Sequence, residues 1–223
     1  MVTPTPIDLS TWPRRETFDH FRSRVPCSYA ITVELDVTEM VRALATSELK
    51  TYPTQVWAIA KVVNRFAEFR MTLNAEGVPA TWPIVHPSFT VFNRERETFA
   101  SVWVPYDPDF RSFHERAAEL LASAAHSEQM FPQGEPPANI FDISSLPWTS
   151  FTGFSLQIAG GNDHFAPIFT LGRYVVREGR TLLPVSLQIH HAAADGFHST
   201  RLLGELEGLL GDPGWLASSS SRR

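Results

Sequence analysis

Val185-Ser186-Leu187-Gln188-Ile189-His190-His191-Ala192-Ala193-Ala194-Asp195-Gly196 alternates apolar and polar residues, then breaks into small residues before an acid and a glycine. In a strand, this alternation puts Val185, Leu187, Ile189 and His191 on one face and Ser186, Gln188 and His190 on the other. His191 thus shares the apolar parity. A histidine that ends a strand on its buried side, beside small residues, is enclosed yet open to a substrate. Such a setting suits a general base, because water is excluded and the imidazole can stay neutral near pH 7. The plain alternative is a hydrogen-bonded core histidine, which is the commoner fate of a lone histidine.

Asp195 follows His191 by four residues through a turn, and Gly196 permits backbone conformations closed to other residues. Asp195 either orients His191 directly, as in a serine-hydrolase triad, or is a structural anion paired with an arginine elsewhere. The second reading is preferred, because no G-x-S-x-G nucleophile elbow occurs in the chain. His190, His191, Asp195 and His198 are also close enough in sequence to suggest a metal. The opposite strand faces of His190 and His191 argue against it, so no metal is expected.

Upstream of this stretch, Leu182 to His190 reads as one strand, joined to a strand over Ile168 to Val175 by a hairpin at Arg177-Glu178-Gly179-Arg180. Downstream, Leu202, Leu203, Leu206, Leu209 and Leu210 form one helical stripe. Further strands are predicted at Ser28 to Leu35, Arg70 to Leu73, Thr81 to Val85, Phe89 to Asn93, Phe99 to Val104 and Phe154 to Ile158. A short helix carrying Arg14 starts near Thr11, with a proline at a plausible first position. Thr38 is read as the N-cap of a helix to about Ser47. Pro53 to Phe69 reads as an amphipathic helix, and about Phe110 to His126 as a further helical stretch. Adjacent prolines make Phe131 to Pro137 a loop. Helices and strands without a strict βαβ repeat imply an α+β fold: a large mixed, mostly antiparallel sheet with helices on one face, a two-layer sandwich.

The 223 residues fit a single domain, read here as 1–216 with a polar tail over 217–223. Hydrophobic residues make up 43% and charged residues 19%, a composition that folds. The net charge of -5 and scattered cations leave no nucleic-acid footprint. One cysteine, Cys27, excludes an internal disulfide and a cysteine-based metal cluster. It reads as a small buried hydrophobe rather than a nucleophile. No apolar run has the length of a membrane span, and Met1 to Ser10 lacks a basic and an apolar region, so a cytoplasmic protein with no membrane partner is expected.

Gln188 to His198 resembles the active-site signature of the chloramphenicol acetyltransferases, longer than the bare H-H-x-x-x-D-G of other acyl-CoA-using enzymes. Further segments resemble that family: Trp12 to Arg15, Arg24 to Cys27, Phe89 to Phe92, Glu97 to Phe99, Phe131 to Gly134, Ile143 to Trp148 and Phe165 to Ile168. The resemblance spans about Leu9 to Leu210. It implies a homotrimer with active sites at subunit interfaces, acetyl-CoA as co-substrate and transfer of acetyl to the C3 hydroxyl of chloramphenicol, which confers antibiotic resistance. On this resemblance, His191 is the base in a ternary complex without an acyl-enzyme, and Ser144 of a neighbouring subunit stabilises the oxyanion. Asp195 pairs with Arg14 and supports the loop, while a backbone carbonyl fixes the tautomer of His191.

By the same resemblance, Phe21, Cys27, Tyr29, Phe99, Phe131, Phe154, Leu156 and Thr170 line the antibiotic pocket; taken singly, each also suits ordinary core packing. Tyr174, Arg173 and Lys50 fill the places that stack and neutralise CoA. Phe21 stands where a tyrosine is common in the family, and Ala193-Ala194 where larger residues are frequent. Two other functions compete: an acyltransferase of the same superfamily acting on another small alcohol or a lipoyl group, and a trimer that sequesters the drug without turnover. A lipoyl enzyme is expected to bring further domains and a long linker.

Overall fold

The computed structural model describes residues 2–158, 160 and 163–217; the expected polar tail, beyond Ala217, lies outside the described residues. In chain order it runs β1 (Thr5–Pro6), α1 (Arg15–Asp19), a π-helical turn (His20–Arg24), β2 (Ser28–Asp36), α2 (Thr38–Ala45), α3 (Thr51–Val63) and a 3-10 turn (Ala67–Arg70). Then come β3 (Met71–Leu73), β4 (Pro79–Thr81), β5 (His86–Asn93), β6 (Thr98–Trp103), α4 (Phe110–Ala124) and β7 (Ile140–Leu146). The chain closes with β8 (Ile168–Gly172), β9 (Val175–Arg177), β10 (Arg180–His190), α5 (Gly196–Gly211) and a 3-10 turn (Pro213–Leu216).

The large sheet has the order β2-β10-β8-β7-β5-β6, with β9 also on β10. Pairs β5/β7 and β7/β8 are parallel and the others antiparallel, so the sheet is mixed, as expected from the α+β reading. Its register aligns one apolar row, Phe89, Ile143, Phe169, Leu187 and Ile31, across five strands. The helices lie over this row: Tyr52 of α3 meets Phe89 edge-on at 5.7 Å. Each fully buried side chain of this size contributes roughly 1.5–3 kcal/mol through burial. The neighbouring row, Ser144, Thr170, Ser186 and Thr32, has the opposite parity.

The hairpin before β10 forms where predicted. Arg177 pairs with Arg180, and Glu178 and Gly179 take φ of 52° and 75°, the left-handed pair of a type I′ turn. Strand Ile168–Val175 is shorter than expected, because the chain leaves the ladder at Arg173-Tyr174 and resumes as β9. In β10 both parities are buried: Ser186, Gln188 and His190 are 2%, 9% and 3% exposed. Phe154 to Ile158 explains why. It is not a strand but an irregular segment laid over that face, held by side chains instead of a ladder. Phe154 N–H donates to Thr32 Oγ1 (3.3 Å), Leu156 N–H to Gln188 Oε1 (2.7 Å), and Ser186 Oγ donates to the Phe154 carbonyl (2.7 Å).

Other expectations change locally. Val37, not Thr38, occupies the N-cap of α2; the Thr38 hydroxyl bonds Asp36 Oδ1 (2.6 Å) and accepts the Thr181 N–H (2.9 Å). Helix α3 ends at Val63 and is buried from Pro53 to Ala60 rather than amphipathic. Asn64 stops it, donating to the Ala60 and Val85 carbonyls (both 2.9 Å) and accepting the Val85 N–H (2.9 Å). Those bonds hold 82–85 as a connection, so the strand expected at Thr81 to Val85 does not form; only Thr81 is paired, as the last residue of β4 in a small sheet β1-β4-β3. Among the described residues, no helix is long and apolar enough to cross a membrane.

Candidate active site

His191 stands one residue beyond β10, and its N–H still bonds the Cys27 carbonyl (2.9 Å), which carries the β2 pairing one step further. The imidazole is clamped by aromatic rings. Phe21, from the π-helical turn, stacks on it with centroids 3.9 Å apart and planes 5° apart, and Tyr29 of β2 meets it edge-on at 5.2 Å. Tyr29 is itself fixed by a 2.7 Å bond with Ser199 Oγ, and burial pushes its phenol up. Nδ1 of His191 is buried and has no hydrogen-bond partner among the described residues. The backbone carbonyl expected to fix the tautomer is therefore not seen bonding Nδ1. Arg14 Nη2 instead approaches the His191 and Ala192 carbonyls at 3.5 and 3.3 Å.

Asp195 caps α5, accepting the Phe197 N–H (3.0 Å), and pairs with Arg14 Nη1 at 2.5 Å. Burial works to raise its carboxyl, but the Arg14 bond and the His198 charge outweigh this and hold it below the usual carboxylate range. Asp195 bonds no atom of His191 among the described residues; its carboxylate meets Arg14 and His198 instead. His190 points away from this group, toward Phe165 (5.1 Å), and burial pushes its imidazole pKa down.

Ser144 lies elsewhere, on β7. Its Oγ donates a long 3.4 Å bond to the Phe169 carbonyl and sits 3.0 Å from Thr170 Oγ1 on β8. It lines a cavity of about 840 Å³ with Phe99, Arg173 and Tyr174, and with Tyr52, Gln55 and Trp148, which the sequence reading did not assign. Gln55 Nε2 donates to the Tyr174 hydroxyl (2.9 Å); burial pushes that phenol up to about 12. His191 does not line this cavity. Lys50, just before α3, is exposed and also outside it.

The expected pocket residues therefore fall into separate places within one chain. Phe21, Cys27 and Tyr29 gather at His191; Phe99 and Thr170 accompany Ser144; exposed Phe131 follows α4; Phe154 and Leu156 cover the face of β10 opposite the helices. Phe92, Phe99 and Trp148 remain exposed beside the cavity, Phe92 and Trp148 meeting edge-on at 4.7 Å. Among the described residues, no group of three His, Cys, Asp or Glu side chains is placed to hold a metal ion.

The family model described as chloramphenicol acetyltransferase matches residues 2–207. The chain belongs to the chloramphenicol acetyltransferase family. It is 65% identical over 214 residues to the chloramphenicol acetyltransferase of Streptomyces acrimycini, covering 96% of this chain and 97% of that protein. Identity to chloramphenicol acetyltransferase 2 of Haemophilus influenzae is 43% over 203 residues, 91% of this chain and 95% of the relative. A solved chloramphenicol acetyltransferase shares the fold with a TM-score of 0.76 at 23% identity, over 93% of this chain and 99% of that one. The cubic core of a pyruvate dehydrogenase multienzyme complex shares it at 0.66 and 21% identity, over 89% and 87%. The family makes this chain an acetyltransferase and an enzyme.

Proposed function

We propose that the protein transfers the acetyl group of acetyl-CoA to the C3 hydroxyl of chloramphenicol, conferring resistance, with His191 as general base. The observation that carries this reading is the imidazole itself. Phe21 and Tyr29 fix its plane, Nδ1 is sealed, and Nε2 is the nitrogen left to meet a substrate. Nε2 takes the hydroxyl proton as the oxygen attacks the thioester carbonyl, and a tetrahedral oxyanion forms. When the C–S bond breaks, the imidazolium returns its proton to the CoA sulfur. No acyl-enzyme is needed, and Cys27 has no part in it.

Ser144 donates to the oxyanion. Its 3.4 Å bond to Phe169 is weak enough to be exchanged for a charged acceptor. Because Ser144 and His191 occupy different places in one chain, the complete site draws Ser144 from a neighbouring subunit, in a homotrimer. The exposed aromatic rings beside the cavity suit such a contact. Acetyl-CoA enters through the cavity of Arg173 and Tyr174, with Lys50 at the adjoining surface. The test is thiol release from acetyl-CoA with chloramphenicol, and with an analogue lacking the C3 hydroxyl. Turnover with the first and none with the second is expected; no turnover with chloramphenicol overturns the reading.

A further inference from the structure

Asp195 is held from more directions than its pair with Arg14 explains. His198, three residues on, places Nδ1 2.8 Å from Asp195 Oδ1 and 3.3 Å from the Asp195 backbone N. The carboxylate can only accept, so the shorter contact is Nδ1–H donating to Oδ1. The other ring nitrogen, Nε2, lies 3.4 Å from Glu68 Oε1, in the 3-10 turn after α3. Arg201 Nη2 sits 3.3 Å from both Glu68 oxygens, and its guanidinium lies over Phe66 at 4.4 Å. His198 is largely buried, its side chain 13% exposed. Glu68, His198, Asp195 and Arg14 thus form a continuous line, which ends at the carbonyls of His191 and Ala192.

Position and residue type both bear on what this line does. His198 is the third residue of α5, where a glutamine or glutamate would complete an ordinary capping box by accepting the N-cap N–H. A cap alone needs only an acceptor. Histidine instead makes Nδ1 a donor on the Asp195 carboxylate, in place of the acceptor a cap needs, and in the protonated ring Nε2–H also donates toward Glu68, so both Asp195 carboxylate oxygens are claimed, Oδ2 by Arg14 and Oδ1 by His198. Fixing the carboxylate fixes the guanidinium, and the guanidinium reaches the backbone that carries His191. We propose that His198 is a positioning residue for the acetyl transfer, acting through Asp195 and Arg14 on the placement of the His191 ring. This rests on His191 being the base.

The experiment uses the full chain, with thiol release and urea unfolding measured on each variant. His198→Ala is expected to lower kcat roughly ten- to a hundredfold, the scale of a misplacement of about 1 Å, with both KM values within about twofold. His198→Asn puts an amide nitrogen near the Nδ1 position and should recover most of kcat. His198→Gln rebuilds the capping box and can reach Glu68, so it should recover the unfolding midpoint but not kcat. A wild-type kcat in His198→Ala, a Gln variant as active as the Asn variant, or an Asn variant no better than Ala would each overturn the proposal. Failure of the acetyl-transfer reading shows separately, as absent turnover in the wild-type protein.

Discussion

The end of β10 and the end of β7 each offer a polar side chain for chemistry, but they are built in opposite ways. His191 is gripped by Phe21 and Tyr29, and its loop is tied through Asp195 and Arg14. Ser144 opens onto a large cavity, held by one long bond and a neighbouring hydroxyl. On the proposed mechanism the difference matches two tasks. A base must meet a proton in a fixed direction before reaction, whereas an oxyanion donor is needed only once charge develops. Removing each side chain in turn should therefore give effects of different size and kind.

The largest effect is expected at His191. His191→Ala should cut kcat by about 10²- to 10⁴-fold, the span of a positioned base, while chloramphenicol still binds in calorimetry. Full activity in this variant would remove the base from the mechanism. Ser144→Ala should follow, lowering kcat by about 10²- to 10³-fold with little change in either KM, because its bond strengthens in the transition state. An unchanged maximal rate would leave Ser144 as a cavity wall.

Asp195→Asn tests whether the grip on His191 is electrostatic. The ion pair is partly exposed, with side chains 15% and 34% accessible, so its loss should cost about 1–3 kcal/mol, between surface and buried pairs. The Asp195 carboxyl is held low in the fold, so its contribution is present above its unfolded value and disappears as pH falls through the folded one. The urea midpoints of wild type and variant should differ at pH 7 and converge as pH drops below about 4. A gap that persists in acid would mean that the carboxylate charge is not the source of the stability.

The His191 side of this comparison was legible in the sequence, and the Ser144 side was not. Seven alternating residues and an Asp-Gly step placed His191 at a strand end, and the Glu178-Gly179 hairpin fixed where β10 begins. Strand β7 escaped the reading because it is parallel on both sides, with Asp142 and Ser144 interrupting Phe141 and Ile143. Its alternation is real, but it has no hairpin to mark it. Ser144 was therefore reached through family resemblance alone. Phe154 to Ile158 failed for the converse reason: it has the composition of a strand, yet its N–H groups found Thr32 and Gln188 side chains instead of a neighbouring backbone. Gln55 carried a signal that could have been used, a long polar side chain directly before the apolar run Val56 to Ala60.

That glutamine sets up the smallest expected effect. Gln55 is 8% exposed, and its amide donates to the Tyr174 hydroxyl at 2.9 Å. Burial holds the phenol near 12, so Tyr174 is neutral throughout the working range and contributes a ring and one hydrogen bond, not a charge. Tyr174→Phe keeps the ring and strands the buried amide, at a cost of roughly 1–3 kcal/mol in stability. If the ring serves to bind acetyl-CoA, its loosening should raise the KM for acetyl-CoA a few-fold and leave kcat alone, since uniform binding is what is lost. A fall in kcat larger than the rise in KM would instead place Tyr174 among the groups that act on the transition state. The cavity of Ser144 would then be as finely set as the clamp around His191, and the contrast between the two regions would fail.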